Sequence, residues 1–122
     1  MPDVIETIRA EAAARSCSVI LPESHDERVL RAAIAVQSEG IARPVLLGRK
    51  EDIRASAANY QLELGDIDLY DCRAWSQSAP VVAYLKSRKR YADCSAGELK
   101  TALEEPLTLA CCLLATGEVD AC

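Results

Sequence analysis

The sequence contains no phenylalanine and only one tryptophan, one histidine and one methionine among 122 residues. Its core therefore has to be built from Ala, Val, Ile and Leu. Half of the residues are hydrophobic, which excludes a disordered chain and suits a parallel sheet covered by helices. One histidine, with no C-x-x-C pair, cannot complete a common zinc set. Excess positive charge is also lacking: the formal net charge is −5, against non-specific binding to nucleic acid, which depends on neutralising phosphates. The one basic cluster, Lys86 to Arg90, could hold a single anionic ligand but not a duplex. Long hydrophobic runs are missing. The longest uncharged apolar run, Pro106 to Thr116, falls short of the roughly 20 residues that span a bilayer, and charges throughout residues 1–16 argue against a signal peptide. There is no G-x-x-x-x-G-K-[ST], no G-x-G-x-x-G and no G-x-S-x-G.

Six cysteines are present, at positions 17, 72, 94, 111, 112 and 122. They read as reduced structural thiols of a cytosolic protein rather than as a disulfide framework. Cys111 and Cys112 lie in the most apolar segment, where free cysteine acts as a small hydrophobe, and both are expected in the core.

The chain at this length is at most one ordinary domain. Asp3, with Glu6 three residues on, predicts a capped first helix whose apolar face is Val4, Ile5, Ile8 and Ala12. Cys17 to Leu21 reads as a strand ended by Pro22. Ser24 and Glu27 make a second capping box for a helix to about Glu39, with Val29, Leu30, Ala33, Ile34 and Val36 facing inward and Gly40 in the C-terminal turn. Pro44 to Leu47 is a second strand. Residues 19–48 thus form a βαβ unit, since a parallel return needs a crossover. Further on, a helix is expected over Asp52 to Asn59, a strand over Ile67 to Tyr70 and a loop over Asp71 to Gln77. A helix capped by Ser78 then carries Pro80 in its first turn. Ser95 and Glu98 cap a helix over Ala96 to Glu104. Pro106 opens the apolar helix, Gly117 closes it, and Val119 to Cys122 begins a strand. A strand only just begun suggests that the 122 residues are the N-terminal part of a longer protein, rather than a small complete domain with a tail.

Four segments resemble the phosphate acetyltransferase and phosphate butyryltransferase family. They are the first helix with Val19-Ile-Leu-Pro-Glu23, then Asp26-Glu-Arg-Val-Leu-Arg-Ala-Ala33, then Gly40-Ile-Ala-Arg-Pro-Val-Leu-Leu-Gly48, and finally Leu113-Leu-Ala-Thr-Gly-Glu-Val-Asp-Ala121. They occur in family order along the whole chain. The resemblance implies a three-layer αβα, mostly parallel α/β fold forming the N-terminal part of a two-domain enzyme. It implies reversible acetyl transfer between acetyl-CoA and inorganic phosphate, giving acetyl phosphate and coenzyme A. It further implies a cytoplasmic homodimer with no tightly bound cofactor and no nucleic-acid or membrane partner. The first helix following closely on Met1 favours a stand-alone enzyme over a fused one. The family's catalytic serine, arginine and aspartate belong to its later part and have no counterpart here, so no catalytic residue is assigned and the 122 residues alone are expected to be inactive. Butyryl transfer and a non-catalytic flavodoxin-like binding module are the other readings.

Candidate site residues follow from the same match. Glu23, Asp26 and Arg28 carry the family's Pro-Glu-x-x-Asp-x-Arg pattern just past a strand end, where open α/β sheets place ligands. They equally suit a capped helix whose carboxylates offset its dipole. Arg88, with Arg90 as alternate, matches an arginine associated with coenzyme A, whose phosphates suit a guanidinium fork. Tyr91 to Cys94 stands where the family has glycine, so the register of that match is loose. A solvated helix end accounts for the cluster as well. His25 reads as an exposed turn residue, and Glu118 and Asp120 as a turn and strand entry.

Overall fold

The structure, a computed structural model, describes residues 3–122. Its helices in chain order are α1 (Val4–Arg15), α2 (Glu27–Glu39), α3 (Lys50–Asn59), α4 (Cys72–Trp75), α5 (Ala79–Ser87), α6 (Ala96–Leu103) and α7 (Pro106–Ala115). The strands are β1 (Ser18–Leu21), β2 (Arg43–Gly48) and β3 (Asp68–Asp71). The three pair in parallel in the order β1-β2-β3, with Ile20 opposite Val45 and Leu47 opposite Tyr70. Beyond β1, on its free side, Ala121 forms a parallel bridge with Val19. The chain from β1 to β3 therefore moves outward on one side of β1, and the end of the described chain lands on the other.

Each sheet face has its own apolar cluster. Strand β2 is the middle strand, and its residues Pro44 to Leu47 are all buried. Period-two alternation sends Val45 and Leu47 to one face and Leu46 to the other. Leu46 meets Leu30 and Ala33 of α2, Ile53 of α3 and Ile67. Val45 and Leu47, with Ile20, meet Val81 and Leu85 of α5, Leu99 and Leu103 of α6, and Leu109, Ala110, Cys112 and Leu113 of α7. The result is the expected three-layer αβα arrangement. Without phenylalanine, aromatic packing comes from partly buried side chains at the cluster edges, including a Tyr70–Trp75 stack at 4.8 Å beside the larger one.

Local chemistry corrects several expectations. Asp26, not Ser24, caps α2: its carboxylate accepts from the Arg28 backbone N–H at 2.8 Å. Ser24 is buried and donates its hydroxyl to the Leu21 carbonyl at 2.8 Å, closing the turn after β1. Glu27 pairs with Arg31 one turn along instead of reaching back. Residues 72–75, expected as loop, form α4 because Asp71 caps them, accepting from the Arg73 N–H at 2.9 Å. Helix α1 buries no residue; Val4, Ile5 and Ile8 stay exposed, so the apolar spacing there does not mark a core face. Cys112 is in the core, but Cys111 points outward because adjacent helical positions diverge by about 100°. The Ser95–Glu98 capping box forms in both directions, and Gly40 closes α2 at φ +68°, as expected.

Candidate functional site

Strand β1 is the point where the sheet's winding reverses. Its crossover through α2 leads to β2 on one face, whereas the connection from β3 through α4 to α7 runs over the other face and returns to Ala121 on the opposite side of β1. Open α/β sheets bind ligands outside the carboxyl ends of strands at such a reversal. A crevice of about 240 Å³ lies at the carboxyl ends of β1, β2 and β3, all on one side of that reversal, lined among others by Ser24, His25, Arg49, Asp52, Cys72 and Glu104.

Each of these side chains arrives for a local reason. Ser24 and His25 belong to the turn that Pro22 and the Ser24–Leu21 hydrogen bond impose after β1. Arg49 and Asp52 sit at the entry of α3, directly after Gly48 ends β2. Arg49 occupies the N-cap position with no side-chain cap bond, so the α3 N-terminus faces the crevice without a carboxylate or hydroxyl cap of its own. Cys72 is buried at the end of β3, and that burial pushes its thiol up. Glu104 and Pro106 bring the α6–α7 turn to the rim. The crevice thus mixes cationic and carboxylate groups on a scaffold of strand ends. Ser24 has its hydroxyl engaged by a backbone carbonyl, and the described residues hold no cluster of three or more His, Cys, Asp or Glu suited to a metal ion.

The acidic turn borders this crevice without facing into it. Glu23 is exposed and Asp26 is engaged as the α2 cap. The Arg28 side chain donates to Asp26 at 3.2 Å and 2.9 Å, and these bonds hold the Asp26 carboxyl at about 2, down from 3.8. The Arg28 guanidinium is raised in turn by Asp26. A second carboxylate–guanidinium group stands at the next strand end. Arg73 meets Asp71 at 2.8 Å and Glu51 at 2.7 Å, bridging the end of β3 to α3. Its bonds hold the Asp71 carboxyl far below the usual range and lower that of Glu51.

Arg88 and Arg90 occupy a different region. The chain leaves the crevice through α4, descends through α5 and climbs back through α6 to Glu104, so the turn at Arg88 to Tyr91 lies at the far end of this layer. The eight residues of α6 alone span about 12 Å. Both arginines are exposed, Arg88 over the Tyr84 ring at 5.8 Å and Arg90 over the Tyr91 ring at 5.6 Å. The structure therefore does not bring the two groups of candidate residues together. Of the residues weighed for a site from the sequence (Glu23, His25, Asp26, Arg28, Arg88, Arg90, Glu118 and Asp120), only His25 lines the crevice. Arg49, Asp52 and Glu104 went unmarked, although Arg49 directly follows a strand that ends in Gly48, and that position was the available signal.

Residues 3–122 match a family model described as phosphate acetyl/butaryl transferase. The chain is 28% identical over 90 residues to a phosphate acetyltransferase of Bacillus subtilis, covering 73% of this chain and 28% of that protein. It is 31% identical over 71 residues to a phosphate acetyltransferase of Staphylococcus epidermidis, covering 58% of this chain and 22% of that protein. The chain thus spans about a quarter of the length of the curated relatives it matches. Its fold matches a EutD phosphotransacetylase from Staphylococcus aureus with a TM-score of 0.80 at 20% identity, over 94% of this chain and 34% of that one. It also matches a phosphotransacetylase from Streptococcus pyogenes with a TM-score of 0.81 at 20% identity, over 95% of this chain and 35% of that one.

Proposed function

Because the chain belongs to the phosphate acetyl/butyryl transferase family, we propose that its protein transfers an acetyl group reversibly between acetyl-CoA and inorganic phosphate. The observation that carries this reading is the family match over residues 3–122. Acetyl rather than butyryl is preferred because the curated relatives in Bacillus subtilis and Staphylococcus epidermidis are named phosphate acetyltransferases.

In this reaction a phosphate oxygen attacks the thioester carbonyl carbon. The tetrahedral intermediate collapses with cleavage of the C–S bond, giving acetyl phosphate and the coenzyme A thiolate, which takes up a proton. In reverse, the thiol loses its proton to a base and attacks acetyl phosphate. Hydrogen-bond donors that meet the developing oxyanion supply the main stabilisation. These 122 residues supply a scaffold and one wall of the cleft, while the family's catalytic serine, arginine and aspartate lie outside them. Arg88 and Arg90 are our candidates for the coenzyme A phosphates: both are exposed, and a guanidinium meets phosphate with a two-pronged fork. The protein works as a cytoplasmic homodimer and needs no prosthetic group, with acetyl-CoA and phosphate as its substrates.

The test is release of coenzyme A from acetyl-CoA and from butyryl-CoA in the presence of phosphate. The protein from its complete reading frame turns over acetyl-CoA faster, and residues 1–122 alone give no turnover. Faster turnover of butyryl-CoA would reassign the acyl group, and no turnover of either by the folded complete protein would refute the reading. Robust turnover by residues 1–122 would overturn the placement of the catalytic groups.

A further inference from the structure

We propose that Tyr84 and Tyr91 are positioning residues, whose ring faces hold the Arg88 and Arg90 guanidinium groups in place while leaving their N–H donors free for the phosphates of coenzyme A. The inference deepens the proposed acyl-transfer function and rests on it for the identity of the ligand; the ring–guanidinium geometry comes from this structure alone.

The sequence keeps these arginines away from carboxylates. Residues 72–92 contain no Asp or Glu, in a chain that has 19, and Lys86, Arg88, Lys89 and Arg90 all lie in that acid-free stretch. None of the four forms an ion pair among the described residues. Arg28, Arg31 and Arg73 are the contrast: each is held by a carboxylate that occupies N–H groups and offsets the charge. A guanidinium held by an aromatic face is fixed differently. The ring meets the flat of the group, and the N–H donors around its edge stay available. A phosphate-binding arginine requires this arrangement, because its two-pronged fork uses those edge donors.

Both rings are anchored. Tyr84 and Tyr91 are partly buried and packed against the larger apolar cluster, Tyr84 from α5, which also buries Val81 and Leu85 there. Arg88 is the residue on which α5 ends. Its extended backbone, φ −80° and ψ 138°, carries the chain out of the helix, and its guanidinium carbon lies 5.8 Å from the centre of the Tyr84 ring. Backbone bonds stitch the turn that follows. The Arg88 N–H donates to the Leu85 carbonyl at 3.1 Å, the Tyr91 N–H to the Arg88 carbonyl at 2.9 Å, and the Cys94 N–H to the Tyr91 carbonyl at 3.1 Å. Arg90 sits within that turn, its guanidinium carbon 5.6 Å from the centre of the Tyr91 ring. Anchored backbone and anchored ring together restrict each long side chain before a ligand arrives. Ordering a flexible side chain on binding lowers affinity, so a cation already held loses less.

The experiment measures coenzyme A affinity by calorimetry in the protein from its complete reading frame, with a melting temperature for every variant. Arg88→Ala should weaken binding about tenfold or more. Tyr84→Leu, which removes the ring and keeps an apolar side chain, should weaken it about three- to fivefold, and Tyr84→Phe, which keeps the ring, should restore it. In an Arg88→Ala background Tyr84→Leu should cause no further loss, because the ring acts through the arginine. Tyr91→Leu and Arg90→Ala form a second cycle, which carries the test if a Tyr84 variant fails to fold. Unchanged affinity in folded Tyr84→Leu and Tyr91→Leu overturns the proposal. So does a loss that persists in the Arg88→Ala and Arg90→Ala backgrounds, since the rings would then act without the arginines. A parent protein that turns over acetyl-CoA, but whose affinity is indifferent to Arg88→Ala and Arg90→Ala, also overturns it and leaves the acyl-transfer reading standing. A parent that neither binds coenzyme A nor turns over acetyl-CoA refutes that reading, and the proposal with it.

Discussion

Single carboxylates carry much of the local order. The Asp26, Glu51, Asp71 and Glu105 carboxyls all have folded-state pKa values below their ordinary ones. The first three are held down chiefly by side-chain bonds from Arg28 or Arg73, and Glu105 by the Thr108 backbone N–H. A depressed carboxylate stabilises the fold above its unfolded pKa, and the contribution is lost as pH falls through the folded pKa. Melting temperature should therefore be flat near neutrality and fall below about pH 4.5 as these groups approach protonation. For Asp26 the loss runs from 3.8 down to about 2. Thermal melts across this range check the point, and Asp26→Asn should flatten part of the acid slope; an acid slope identical in the variant would contradict the assignment. Glu51 and Glu105 are exposed and Asp26 and Asp71 partly buried, so salt should weaken the effect most at the two glutamates. Thiols differ in the same residue-by-residue way. Cys111 is exposed, whereas Cys72 and Cys112 are buried and raised by that burial. Alkylation by iodoacetamide, followed by peptide mass spectrometry, should modify Cys111 first and Cys72 and Cys112 only on unfolding.

At the scale of elements, caps and core contacts separate cleanly. Asp26→Ala should destabilise α2 through loss of the N-cap acceptor, and by more than Glu27→Ala, which loses only an exposed i,i+4 pair. Equal losses in urea denaturation would restore the capping box expected at Ser24 and Glu27. Two neighbouring leucines of α7 provide a sharper contrast. Leu113 is fully buried and Leu114 is 39% exposed. Leu113→Ala should cost about 2–5 kcal/mol, and Leu114→Ala well under half of that. These elements were legible in the sequence wherever a strong local signal met a packed surface. The β2 run is apolar on both faces because helices cover both, and Ser95 with Glu98 forms the box that its spacing announces. Helix α1 shows the opposite case. Its spacing of Val4, Ile5 and Ile8 is that of a core face, yet all three are exposed among residues 3–122. Helix α4 was missed because four residues are too few to show a period, and the cap that nucleates it is a single aspartate.

For the whole molecule, the parallel sheet wound on both faces follows from the sequence pattern, and the reversal at β1 follows once Ala121 is seen beside Val19. The crevice was less legible. Its lining comes from four separate chain segments, so no contiguous motif marks it; of the residues that did form a motif, Asp26 and Arg28 are engaged with each other at the start of α2 and Glu23 is exposed beside them. The family match rests on the chain as a whole, and the central claim that follows from it is reversible acetyl transfer between a thioester and phosphate. The most direct measurement is exchange of labelled inorganic phosphate into acetyl phosphate by the protein from its complete reading frame. Label should enter acetyl phosphate only when coenzyme A is present, because the acetyl group must pass through the thioester. No exchange with coenzyme A present, or equal exchange without it, would contradict the account.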